Sequence, residues 1–370
     1  MKFAIITHVP HCYEDTRYFA YAPYVREMNI WGEYCDELII VAPLQKIETS
    51  AIDEQYENET IDFRAIPNFN VNTLLETIKT IGKAPMVFYQ IFKAMLQADH
   101  IHLRCPGNVG LLGCLIQMLF PSKPKTAKYA GNWDPLAVQP WSYRLQKRIL
   151  NNAFLTRNMQ VLVYGEWPNQ SKNIKPFFTA TYKEADKILW IPKTGDTKIN
   201  FIFVGTLVKG KNPLYAIQIV EALLQKGKEV SLCLYGEGVL KESLQSYILK
   251  NKLEKTVFLK GNQSKETLIK AYQESDFVIL PSISEGWPKA IAEGMFWGCV
   301  PLATAVSCVP YMLDHGKRGL LLHKNKEQDV DAIKKLIEDT NDFNQKSIAA
   351  QTWSQQYTTD YFESEIKKLI

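Results

Sequence analysis

Short apolar runs alternate with longer amphipathic stretches along the whole chain. This alternation is the pattern of parallel strands joined by crossover helices, because parallel neighbours cannot be linked by a tight turn. In the first half the candidate strands are Phe3–Thr7, Glu37–Val41, Ile61–Ala65, His100–Leu103, Lys125–Tyr129 and Met159–Tyr164. In the second half they are Phe201–Val204, Val230–Tyr235, Val257–Leu259, Phe277–Leu280, Val300–Ala303 and Leu320–Leu322. Each set fills one Rossmann-like domain, so the fold class is α/β. A length of 370 residues agrees with two domains. The segment Ile191-Pro192-Lys193-Thr194-Gly195-Asp196 breaks both periodicities and puts the boundary within Asp186–Lys198. The domains expected are 1–190 and 191–352, with a helical tail over 353–370.

Charge and cysteine usage narrow the function classes. The net charge of +4 lacks the clustered basic stripe of a nucleic-acid binder, so no nucleic-acid partner is expected. A weakly basic face still suits nucleotides or anionic headgroups. The 7 cysteines are scattered, without a C-x-x-C pair, several of them in apolar stretches. That usage fits buried free thiols in a reducing compartment. The opening Met1-Lys2-Phe3-Ala4-Ile5-Ile6-Thr7 reads as a first strand, not a secretory signal. The most apolar run, Leu111–Phe120, is far shorter than the roughly twenty residues of a membrane helix. A cytoplasmic protein is expected, peripheral to a membrane at most.

The chemistry concentrates after the run Phe277-Val278-Ile279-Leu280-Pro281, in Ser284-Glu285-Gly286-Trp287-Pro288-Lys289-Ala290-Ile291-Ala292-Glu293-Gly294. Pro288 suits the first turn of a helix, where its missing N–H costs nothing. Glu285 then sits in a strand-to-helix loop and Glu293 about one and a half turns into the helix. The unpaired N–H groups of the helix start form an anion site. A diphosphate could lie on Gly286, Trp287 and Lys289, with one carboxylate at each end of the ligand. Two glutamates at this spacing also occur on plain solvated helices; the buried strand before them and the Cys299-Val300-Pro301-Leu302-Ala303 strand after them favour the site.

This stretch resembles the E-x7-E element of retaining GT-B glycosyltransferases, glycosyltransferase family 4 in particular. The resemblance implies two Rossmann-like domains facing a central cleft, with the last helix, 353–370, crossing back onto the N-terminal domain. It implies that Glu285 contacts the donor sugar and stabilises positive charge at its anomeric carbon, and that Glu293 bonds the ribose hydroxyls. The stretch Phe203-Val204-Gly205-Thr206-Leu207-Val208-Lys209-Gly210-Lys211-Asn212-Pro213 nearly matches a P-loop, but Asn212 replaces the magnesium-binding hydroxyl. It also resembles the family's "V-G-R-L-x-x-x-K-G". There Lys211 matches the diphosphate-binding lysine, Lys209 is the other candidate, and Thr206 stands in place of the arginine. A solvated basic turn is the plain alternative.

Tyr235-Gly236-Glu237-Gly238 lies where the family has a G-x-G turn that lets backbone approach the nucleotide; a plain turn reads almost as well. Gly261 and Asn262 lie where its base-contacting loop begins. In the first half, His8 follows the first strand, and Arg104, Gly107 and Asn108 end another, where loops at strand carboxyl ends line a cleft. His100 and His102 share a strand face, but no third metal ligand is apparent. Asn132 occupies a loop where the family usually has a histidine, and could bond a sugar hydroxyl.

The resemblance thus implies a retaining transferase. It would move a sugar from a nucleotide-sugar donor, held by Gly205, Thr206, Lys209, Gly236, Gly261, Asn262, Gly286, Trp287, Pro288, Lys289 and Glu293. Glu285 and Lys211 would be catalytic. His8, Arg104, Asn108 and Asn132 would meet a saccharide or lipid-linked acceptor of surface polysaccharide or glycolipid synthesis. No cofactor and no metal are implied, since Lys211 and the helix start offset the leaving diphosphate. A GT-B phosphorylase or epimerase, or a non-catalytic nucleotide-sugar-binding protein, is the alternative.

Overall fold

The computed structural model describes all residues except 46–48, 51, 68–73 and 193–197, and only the backbone of 74–83. Part of the expected boundary segment therefore lies outside the described residues. Packing divides the chain into one unit of Met1–Phe177 with Glu363–Ile370, and a second of Phe178–Phe362. The sequence reading placed the division at 190/191 and gave all of 353–370 to the first domain. The difference at the tail has a packing cause. Trp353 stacks on Trp287 with ring centroids 6.1 Å apart, and Phe362 meets Phe178 edge-on at 5.7 Å, all within the second unit.

In the second unit six parallel strands lie in the spatial order Val257–Gly261, Glu229–Tyr235, Lys198–Val204, Phe277–Leu280, Val300–Thr304 and Leu320–Leu322. The chain winds outward from Lys198–Val204, then returns to its other side at Phe277–Leu280 and winds the opposite way. This is the doubly wound order with a topological switch between those two strands. The strand Phe277–Leu280 is buried at every position, which is why it reads as an unbroken apolar run. Phe277 stacks on Phe201 at 5.0 Å and takes Phe343 edge-on at 5.2 Å.

The first unit repeats the plan with seven parallel strands: Ile174–Phe177, Met159–Tyr164, Lys125–Tyr129, His100–Cys105, Lys2–Ile6, Glu37–Pro43 and Ile61–Ile66. Its switch lies between Lys2–Ile6 and His100–Cys105. His100 and His102 do share a face, and both ring nitrogens bond Thr126 Oγ1, at 3.0 and 2.8 Å. Burial lowers both rings, His100 to about 4, so they sit uncharged against Phe3 and Trp31. Trp31 is fully buried and belongs to the core.

Two features were not legible in the sequence. A small antiparallel sheet joins His11–Glu14, Arg17–Tyr21 and Asp53–Gln55. Its hairpin turns on Asp15 and Thr16, both at positive φ (47° and 65°), a conformation normally signalled by Asn-Gly. The seventh strand, Ile174–Phe177, carries Pro176, which the sheet tolerates because this strand lies at its edge. None of the seven cysteines is in a disulfide, and Cys12, Cys105, Cys114, Cys299 and Cys308 are buried. Among the described residues no helix is long and apolar enough to cross a membrane.

Candidate functional site

The switch point of the second unit gathers the two residues expected to do chemistry. The loop after Lys198–Val204 and the loop after Phe277–Leu280 leave adjacent strand ends in opposite directions. Ile283 N–H donates to Gly210 carbonyl at 2.8 Å and ties the loops together. That bond brings Lys211 Nζ within 2.6 Å of Glu285 Oε1. The Glu285 side chain is 6% exposed and that of Lys211 31%, so the carboxylate is sunk and the ammonium faces outward. The Glu285 loop is held from behind as well. Thr304 Oγ1 donates to Ser282 carbonyl, and Ser307 Oγ and Cys308 Sγ both donate to Gly286 carbonyl, at 3.2 and 3.1 Å.

The helix that follows runs Lys289–Phe296. Pro288 precedes it as the cap, with ψ 86°, and is not its first residue. Gly294 explains how closely this helix lies on the sheet: a Cβ there would stand 2.5 Å from Val278 Cγ1. Glu293, on the same helix, accepts from Thr181 Oγ1 at 2.9 Å and Tyr272 hydroxyl at 3.1 Å. Its pKa is raised by burial, against the pull of those two donors and of Lys289. The Trp287 indole is buried between Trp353 and Tyr357, so only its backbone is placed to meet a ligand. Lys289 is half-buried at the start of the helix.

The glycines of Tyr235-Gly236-Glu237-Gly238 have a packing reason within the unit itself. A Cβ on Gly236 would stand 2.1 Å from Gly205 carbonyl oxygen, and one on Gly238 2.4 Å from that of Leu207. Gly236 also has φ +139°, which L side chains rarely adopt. What these glycines approach is the backbone of the Gly205-Thr206-Leu207 loop. Leu207 N–H donates to Glu237 carbonyl and Leu240 N–H to Leu207 carbonyl, at 2.9 and 3.0 Å. Gly261, at φ +65°, accepts from Gly236 N–H at 2.8 Å and extends the same lattice. Thr206, Lys209 and Asn262 are exposed. Asn212 is left-handed (φ 54°) and starts the helix Pro213–Gln225, so it bends the chain where a P-loop would place its hydroxyl.

The first unit brings its candidates to its own switch point. The His8 ring lies against Gly107, where a Cβ would stand 2.9 Å from Nδ1. Asn108 opens the helix Asn108–Ile116. Arg104 was expected as a cleft residue, but it is buried: its Nη1 donates to Glu27 Oε1 at 2.6 Å, and its guanidinium lies 5.3 Å from the Tyr24 ring centroid. Lys128 Nζ reaches the same oxygen at 2.9 Å. Burial pushes the Glu27 carboxyl up, but Arg104 and Lys128 outweigh it and bring it down to about 2. Asn132 Oδ1 accepts from Asp134 N–H at 2.9 Å, which fixes the side chain in a local turn.

Glu27 and Lys128 were missed. Glu27 had a signal: on Ala22–Gly32 it lies three residues from buried Tyr24 and four from buried Trp31. An acid on an apolar stripe demands a buried cation. Among the described residues no cluster of three His, Cys, Asp or Glu side chains is arranged to hold a metal ion.

Comparison with known proteins bears on this geometry. Residues 184–353 match the family model of the glycosyl transferases group 1. Protein CapJ of Staphylococcus aureus is 23% identical over 294 residues, covering 75% of this chain and 72% of CapJ. The amylovoran biosynthesis glycosyltransferase AmsK of Erwinia amylovora is 28% identical over 141 residues. That match covers 36% of this chain and 35% of AmsK, so only about a third of AmsK is spanned. Among solved structures, Anabaena HepE in complex with UDP and glucose superposes with a TM-score of 0.70 at 16% identity. That superposition covers 100% of this chain and 98% of HepE. The fold is therefore GT-B, and the glycosyl transferases group 1 match over residues 184–353 supports transferase activity.

Proposed function

We propose that the chain is a retaining glycosyltransferase. It moves a sugar from a nucleotide-sugar donor to a saccharide or lipid-linked acceptor, in the cytoplasm or at the inner face of a membrane. One observation carries this reading: Lys211 and Glu285 meet at 2.6 Å at the switch point of a doubly wound sheet, within the matched domain. In open α/β sheets ligands bind at that crevice. The donor diphosphate lies on Lys211 and on the backbone N–H groups that open the Lys289–Phe296 helix. As the diphosphate takes the ammonium, the Glu285 carboxylate loses its counter-ion and turns its charge to the anomeric carbon, where positive charge grows as the bond to the leaving oxygen breaks. Lys211 offsets the negative charge on that oxygen, so no metal is required. A surface polysaccharide or glycolipid is the product class, in keeping with a relative named for amylovoran biosynthesis.

A panel of nucleotide sugars with the full chain tests this, with UDP-glucose first because HepE was solved with UDP and glucose. Slow hydrolysis of one donor, with NMR showing the released sugar in the donor's anomeric form, is expected. Phosphate-dependent release alone would make the enzyme a phosphorylase, and no turnover of any donor would leave a binding protein.

Lys211→Ala should weaken nucleoside diphosphate binding by roughly ten- to a hundredfold, the worth of one charge-assisted bond, and leave nucleoside binding unchanged. Equal loss of both by calorimetry would make Lys211 structural. Lys209→Ala, at an exposed position, is the control, and a phosphate-specific loss there would move the role to Lys209.

Glu293→Ala should raise the donor KM roughly 10- to 100-fold with a smaller fall in kcat, because ribose does not react. The variant should bind a 2′,3′-dideoxy nucleotide about as well as the normal one. If it still discriminates as wild type does, Glu293 serves only its bonds to Thr181 and Tyr272.

A further inference from the structure

The first unit holds a cavity of about 460 Å³ at the end of its sheet opposite the switch-point loops. His100, Lys125 and Met159 line it, and each is the first residue of its strand. The loops that carry His8 and Asn108 leave the other ends of the same sheet, about a strand length of roughly 17–20 Å away. The cavity therefore lies apart from the first unit's switch point.

Its lining is one-signed. Lys125, Lys172 and Lys175 contribute ammonium groups, and among the described residues no carboxylate side chain lines it. Among the described residues none of the three lysines is ion-paired. Lys125 is 2% exposed and donates to Phe120 carbonyl at 2.6 Å; among the described residues it has no other partner, which leaves two of its three N–H donors unused. A buried ammonium with unmet donors is costly without an anion beside it. Lys172 and Lys175 are exposed at the rim. Asn158 and Gln160 add amides that donate to and accept from hydroxyls. The His100 ring, the one aromatic ring in the lining, is occupied by Phe3 and Thr126. A nucleobase would have no free face to stack on.

The geometry points to a binding site for an anionic saccharide, a sugar unit carrying a phosphate or a carboxylate, at the end of the first unit's sheet away from its switch-point loops. The volume accommodates one or two such units. The acid group meets Lys125 within and Lys172 and Lys175 at the rim, and the amides take the hydroxyls.

Calorimetric titration of the full chain tests the site with glucose 6-phosphate, glucuronate, glucose and inorganic phosphate as probes. Glucose 6-phosphate or glucuronate should saturate with a Kd of about 1 mM or tighter. Whichever binds tighter tells a phosphate source from a carboxylate source. Glucose and inorganic phosphate should each bind at least about tenfold more weakly. The double variant Lys172→Ser/Lys175→Ser, at exposed positions, should weaken binding at least about tenfold with an unchanged unfolding midpoint. Saturating UDP should leave the affinity unaltered. The site is overturned if neither acidic probe saturates, if glucose binds as well as they do, if UDP displaces them, or if the double variant binds like wild type. Inorganic phosphate binding as tightly as glucose 6-phosphate would overturn the saccharide assignment.

Discussion

Glu285→Gln should cut turnover by roughly 100- to 1000-fold while leaving the fold intact. The substitution keeps size and hydrogen bonding but removes the charge that faces the growing cation, a contribution of roughly 3–4 kcal/mol. The stability cost should stay within about 1 kcal/mol, because Lys211 is part exposed and water replaces its partner. The affinity for nucleoside diphosphate should hold or rise, since Lys211 no longer shares itself with a carboxylate. Steady-state kinetics beside calorimetry separates these effects. Near-wild-type turnover would remove Glu285 from the chemistry, and weaker diphosphate binding would mean that the ion pair organises the loop.

The largest stability effect is expected at Glu27. Its carboxylate is 8% exposed and neutralises Arg104 and Lys128, whose side chains are 10% and 1% exposed. Glu27→Ala leaves two buried cations without their anion and should cost roughly 3–5 kcal/mol of the first unit's stability, read from urea unfolding. The same group sets an acid limit. Its folded pKa, about 2, lies below its ordinary value of 4.5, so the folded state holds the proton more weakly than the unfolded one. Its contribution is complete above about pH 4.5 and is lost as the pH falls toward 2, roughly 3 kcal/mol over that window. Glu27→Gln should be less stable at neutral pH and lose less between pH 5 and 3 than wild type. Parallel acid profiles of the two proteins would refute the pairing.

The strand pattern was legible because both sheets are covered on both faces. Runs such as Phe277–Leu280, Lys125–Tyr129 and Met159–Tyr164 appear with the bounds read from the sequence. The hairpin at Asp15-Thr16 was not legible, since its left-handed residues are neither Gly nor Asn. The meeting of Lys211 and Glu285 depends on a strand order that places Lys198–Val204 beside Phe277–Leu280, and no local spacing encodes that adjacency. Arg104 looked like a cleft residue because its partner lies 77 positions away on a helix of otherwise ordinary amphipathic character. The glycines at 236 and 238 were legible as glycines, but what they approach is another loop, which only the fold reveals.

That approach sets a limit on how this chain can diverge. The loop Gly205–Leu207 rests on a turn that has no room for one more carbon at either glycine. Its height above the sheet is thus fixed by two missing methyl groups, not by any contact that could be traded for another. Thr206 and Lys209, outward on the same loop, have no such constraint. If the chain acts as proposed, a new donor preference would be built by changing what is displayed at 206 and 209, while the loop's position stays constant. Libraries that vary those two positions should yield folded proteins, whereas libraries that vary 236 and 238 should return glycine.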